Sequence, residues 1–165
     1  MSGAPGLSWR SLPPATRALG RWVTLVQLVG YSTSLVYVWH TTRLTPGGIA
    51  DHYRGAESAD GAMQFPKSFA EMLTITHTHL LAMAVIFVIS GVSLALCERV
   101  PGGWKRFLVA EPFGALLVSF GSMWLMRYVH PGFGVLLALS SGLMALTFYT
   151  QSVLVLRELG WRERG

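Results

Sequence analysis

The sequence predicts an all-α membrane protein: a four-transmembrane-helix antiparallel bundle with both termini cytoplasmic and an ordered outer loop between helices 1 and 2. Three observations predict it. Of 165 residues, 52% are apolar and only 13% charged, where a soluble domain carries roughly a quarter charged. The apolar residues come in blocks of about twenty rather than at amphipathic spacing, and that is the length that crosses hydrocarbon. The basic residues divide unequally between the two sides that such a bundle would have.

Residues 1–21 form a cytoplasmic N-terminal segment carrying Arg10, Arg17 and Arg21 around Pro13 and Pro14. No short apolar region ends in a small-residue cleavage site, so the first span is expected to be a retained signal-anchor. That span is 22–42, uncharged from Trp22 to Thr42. A periplasmic loop covers 43–68. Helix 2 covers 69–97, beginning behind Ser68 and Glu71, which stand at the spacing of a capping box. A cytoplasmic loop takes 98–109, and helix 3 takes 110–130. Its uncharged run, Pro112 to Met126, is too short to span alone, so Glu111 or Arg127 must reach the headgroup zone. His130, Pro131 and Gly132 turn the chain into helix 4, 132–156, and 157–165 is a cytoplasmic tail. In helix 4, Gly134, Ala138, Ser141, Gly142 and Ala145 place small residues where a neighbouring backbone can come close.

Orientation follows from charge. Arg10, Arg17, Arg21, Arg99, Lys105, Arg106, Arg157, Arg162 and Arg164 fall on one side; Arg43, Arg54, Lys67 and Arg127 fall on the other, offset by Asp51, Glu57, Asp60 and Glu71. Cytoplasmic loops are enriched in Lys and Arg, which gives an N-in, C-in multi-pass protein of a bacterial inner membrane. The net charge of +5 is therefore mainly a topological signal. No basic tract or stacked-aromatic motif points to nucleic acid. No charge sits near an expected helix centre, which argues against a proton channel or a carrier built on buried carboxylates.

The outer loop has turn signals at Thr45-Pro46-Gly47-Gly48 and apolar residues Ile49, Tyr53, Met63 and Phe65, so it is expected to dock on the bundle as a cap. A single cysteine, Cys97, excludes an internal disulfide and a C-x-x-C motif.

All five histidines, His40, His52, His77, His79 and His130, fall on the outer side of this topology. Any one of them serves equally well as an amphipathic interfacial residue. As a set they suggest a metal or haem site, because neutral imidazole is the commonest protein ligand for iron, copper and zinc. His77 and His79, two residues apart, point to nearly opposite sides of a helix. Ala84 and Gly91 continue the His77 side, and that small face suits a macrocycle or a neighbouring helix, so His77 is expected to face the interior and His79 the loop. His40 or His130 stands level with His77 across the bundle, giving a bis-imidazole haem b with Arg127 beside a propionate.

The run His77-Thr78-His79-Leu80 with downstream Gly91 resembles the H-x-H-L helix of haem-bearing membrane proteins related to the catalytic subunit of haem-copper oxidases and nitric oxide reductases. The resemblance covers about twenty residues and implies a haem-ligand role for His77, or for His79 in another register. It does not extend to the family's large bundle or copper histidines, so oxygen or nitric oxide reduction is not implied.

Three functions follow as expectations. The first is electron transfer by a small haem b subunit, a contributor to rather than a stand-alone enzyme of a respiratory or photosynthetic complex. The second is copper or zinc binding through His52, His77, His79 and neighbouring methionines. The third is a cofactor-free structural or assembly subunit.

Overall fold

A computed structural model describes residues 7–57 and 63–160. Asp60, Arg162 and Arg164, used above for charge and topology, lie outside the described residues. Within them the chain is helical apart from one short ladder. The elements are α1 (Pro14–Thr42), α2 (Pro46–Arg54), β1 (Ala56–Glu57), β2 (Met63–Gln64), α3 (Phe69–Ala95), α4 (Gly102–Tyr128) and α5 (Phe133–Gly160). The two strands pair antiparallel, Ala56 opposite Gln64. Helices α3, α4 and α5 are long and apolar enough to cross a membrane.

Several boundaries differ from expectation for physical reasons. Helix α1 begins at Pro14, eight residues before the first uncharged run, because proline at the first helical position loses no hydrogen bond. Helix α4 begins at Gly102 and not near residue 110, so Lys105, Arg106 and Glu111 are helical and the connection to α3 is short. That extension puts Glu111 four residues, about 6 Å, from the middle of α4. Instead of reaching headgroups, both its carboxylate oxygens are buried with no hydrogen-bond partner among the described residues. An ionisable side chain therefore does sit near a helix centre.

Proline within α4 has a specific remedy. Pro112 offers no N–H to the Leu108 carbonyl, the bond a regular helix would make there. The Gln151 side-chain amide of α5, 1% exposed, donates to that carbonyl instead. Helices α4 and α5 are joined further by the Ser119 and Ser140 hydroxyls, 2.8 Å apart. Of the small residues on α5, Gly134 makes the close approach: a Cβ there would stand 2.8 Å from the Pro46 carbonyl oxygen. Gly142 faces open space.

The core has three layers. At one end, Trp9 packs with Leu94, Cys97, Val100, Leu108, Val155 and Leu159. Its indole N–H donates to the Ser93 carbonyl at 2.7 Å, which ties the segment before α1 into the bundle. Phe87, Ala115, Leu116, Met144 and Phe148 fill the middle. Ile49 and Ala50 of α2 cover Met126 at the opposite end. At the Trp9 end the segment before α1 pairs with the last helix through Arg10 and Glu158 at 3.1 Å, and Arg21 of α1 donates to the Leu159 carbonyl at 3.2 Å.

Candidate functional site

The histidine-bearing end is assembled around the α4 terminus. The segment between α1 and α3 folds as α2 plus the β-ladder, held by Arg54, whose guanidinium donates to the Met126 carbonyl at 2.8 Å and to that of Arg127 at 3.3 Å. Those are the orphan carbonyls of a helix end, so Arg54 acts as its cap. Arg127 in turn donates from Nε to the Lys67 carbonyl at 2.9 Å and lies 4.9 Å from the Tyr128 ring centre. This bond holds the loop against the bundle.

Helix α3 starts with the capping box its sequence announces. Ser68 Oγ accepts from the Glu71 N–H at 3.2 Å, and Glu71 Oε2 accepts from the Ser68 N–H at 2.7 Å. Below this cap one side of the first half of α3 is left uncovered by the other helices. Met72 is fully buried, but Leu73, Thr74, His77, Thr78, His79 and Leu81 are exposed. The expectation that His77 faces the interior is therefore corrected. Its face is in contact lower down, where a Cβ on Gly91 would meet Val109 of α4 at 3.4 Å. At the His77 level the interior is closed by Trp124, whose indole N–H donates to Thr76 Oγ1 at 2.9 Å.

His79 is exposed as well, and its Nδ1 lies 3.0 Å from the Ile75 carbonyl oxygen. A carbonyl only accepts, so that contact places the ring proton on Nδ1 and leaves Nε2 with a free lone pair. The acceptor is the residue's own helix and not Asp51, His52 or Glu71 as expected. His40 lies exposed in the last turn of α1, next to exposed Trp39 and Tyr37. His130 is exposed in the α4–α5 turn, its Nδ1 accepting from the Gly132 N–H at 3.0 Å. His52 is half-buried on α2, with its ring edge-on to Tyr53 at 5.1 Å. Burial, with the Lys67 charge adding to it, pushes the His52 imidazole below its usual range.

The histidines thus line the outside of the bundle. Among the described residues no three of His, Cys, Asp or Glu converge as a metal ion would require. Beneath the cap, Met72 and Met126 are buried and Trp124 is bonded to Thr76. The arrangement leaves imidazoles turned outward on α1 and α3, available to whatever adjoins them. Sequence reasoning missed Arg54 as a cap and Gln151 as the partner of the Pro112 break; a proline and an amide inside two adjacent uncharged runs were the legible signal for the second.

Residues 43–165 match a family model described as a transmembrane helical domain, Aq_1264_TM. No curated protein and no solved structure matches the chain.

Proposed function

The chain belongs to this transmembrane helical domain family, and we propose that it is a four-span subunit of a larger bacterial inner-membrane complex, docking on its partner through the outer halves of α1 and α3. In this reading α1 is the fourth span, both termini are cytoplasmic as the basic residues direct, and the complex is a respiratory or photosynthetic one. One observation carries it. His77 and His79 are exposed on an apolar helix about 9 and 12 Å beyond Glu71, its last charged residue. Lipid tails offer imidazole no donor or acceptor, and ionisable side chains within a span turn toward protein partners. Such a face is completed by another chain.

A photo-crosslinking amino acid introduced at Thr78, between the two histidines, tests this in native membranes. It yields a discrete protein adduct that the same probe at Leu139, 67% exposed on α5, does not. Equal yields from both positions contradict the proposal.

A second reading is favoured by the His79 tautomer. With Nδ1 bonded to Ile75, Nε2 is poised as a ligand, and His79 would hold haem b at the interface with a further imidazole from the partner, or from His40, His77 or His130. Haem there would supply one-electron transfer. The chain's own contribution is to fix the ring by its backbone bond. A reduced-minus-oxidised spectrum of the complex decides it: a haem b band that His79→Ala removes supports this reading, and a spectrum without that band refutes it. Copper or zinc in place of haem would need most of its ligands from the partner.

A further inference from the structure

We propose that Glu111 is a proton-binding site in the membrane interior: its carboxyl is held as the neutral acid and exchanges that proton through the groove between α4 and α5. The early start of α4 places this acid inside a span, about 6 Å from the middle of the helix. Both carboxylate oxygens are buried, and neither has a hydrogen-bond partner among the described residues. An ionisable side chain left in that state within a span marks a functional site.

Among the described residues no cation stands near it. Residues 22–39 of α1, 80–95 of α3 and 133–156 of α5 contain no Asp, Glu, Lys, Arg or His. The ionisable groups of these stretches are phenols: Tyr31, within electrostatic range of Glu111, Tyr37, six residues farther along α1, and Tyr149, whose hydroxyl is bonded to that of Ser32 at 2.7 Å. Arg17 and Arg21 precede Tyr31 by fourteen and ten residues, about 21 and 15 Å along α1. On α4 itself, Lys105 and Arg106 lie about 120° and 140° around the helix from Glu111. Lys105 Nζ is bonded to the Ala95 and Cys97 carbonyls, and Arg10 is engaged by Glu98 and Glu158.

A lone carboxylate in apolar surroundings is too costly to keep charged, so it takes up a proton. A second orphan acceptor adds to the demand. Gln151 Oε1 has no partner either, on a side chain whose amide bonds the Leu108 carbonyl one turn before Glu111. A bound proton answers both, because it turns the carboxyl into a donor. The route for exchange is the groove, which Glu111 lines with Gly114, Ala115, Ser140 and Leu143. It is open beside the acid, where a Cβ on Gly114 would meet nothing within 4 Å.

The test has two readouts on the full chain in lipid vesicles. Infrared spectroscopy at pH 7, where an exposed glutamate is ionised, should show the carbonyl stretch of a protonated carboxylic acid. Glu111→Gln should remove that band, and raising and then lowering the pH of the wild type should erase and restore it. Dicyclohexylcarbodiimide, which is apolar, should modify Glu111: the acid O–H adds across one C=N bond, so the peptide gains the whole mass of the reagent. A water-soluble aminoalkyl carbodiimide should leave Glu111 unmodified. Gly114→Leu, which fills the groove and keeps the acid, should slow the apolar reagent several-fold while the infrared band stays. An absent acid band, a band that no change of pH removes, Glu111 modified by both reagents or by neither, or labelling indifferent to Gly114→Leu overturns the proposal.

Discussion

Replacing Gln151 by Leu should destabilise the bundle by about 1–2 kcal/mol, and that loss should nearly vanish in a Pro112→Ala background. Gln151 is fully buried, and its amide N–H meets the Leu108 carbonyl that Pro112 leaves without a helical partner. Leucine matches the size of the side chain but cannot donate, so a backbone carbonyl would be stranded in apolar surroundings. An orphaned buried acceptor costs about 1–3 kcal/mol, while polar contacts in membrane bundles average about 0.6 kcal/mol with a maximum near 1.7. Gln151 Oε1 has no partner among the described residues, so its removal offsets part of the loss. Alanine at 112 restores an N–H at the right place to reach Leu108, after which the glutamine is dispensable. The assay is reversible unfolding in mixed micelles of the wild type, both single variants and the double variant. A coupling energy within about 0.3 kcal/mol of zero, as for sites that do not interact, would refute the reasoning.

Cys97 is 1% exposed, and burial, with the Glu158 charge behind it, pushes its thiol up to about 12. A maleimide should therefore react with it negligibly at pH 8, and Trp9→Ala, which opens the layer over it, should make labelling rapid; prompt labelling of the wild type would contradict that layer. The same thiol lowers stability as pH rises above the ordinary thiol value near 9, because only the unfolded chain then releases the proton. Cys97→Ala should flatten that alkaline loss in pH-dependent unfolding. His52, held low by burial, has the opposite window: the unfolded chain takes up a proton below about 6.5 that the folded chain declines, so stability falls as pH drops through that value. His52→Gln should remove this acid-side loss, and an unchanged pH profile would show the imidazole to be wet. Gly20→Ala should loosen the N-terminal segment, since a Cβ there would stand 2.5 Å from the Trp9 ring; limited proteolysis near Arg10 reads it.

Hydropathy made the three apolar spans legible, and Ser68 with Glu71 marked the start of α3 to the residue. What periodicity could not supply is where a helix lies relative to its neighbours. The His77–Ala84–Gly91 stripe is straight on α3, yet α4 touches it at Gly91 and has left it by His77. A crossing angle is a property of two helices, and one helix's sequence does not contain it. The early start of α4 was hidden because Lys105, Arg106 and Glu111 interrupt an apolar run without interrupting a helix. Trp9 was illegible for another reason: its partner carbonyl at Ser93 is 84 residues away. A glutamine amid an uncharged run reads as tolerated polarity until Pro112 is seen beside it.

The docking of α1 and α3 on a partner is tested most directly by native gel electrophoresis of the tagged full-length chain, mildly extracted from its own membranes, with and without His77→Leu and His79→Leu together. Both side chains are exposed, so the substitutions leave the core packing untouched and suit a lipid-facing surface at least as well as histidine does. The wild type should migrate in an assembly well above the single chain, and the double variant should insert at the same level but migrate as the single chain. Identical migration of the two proteins, or a wild type that is itself a single chain, would contradict the account.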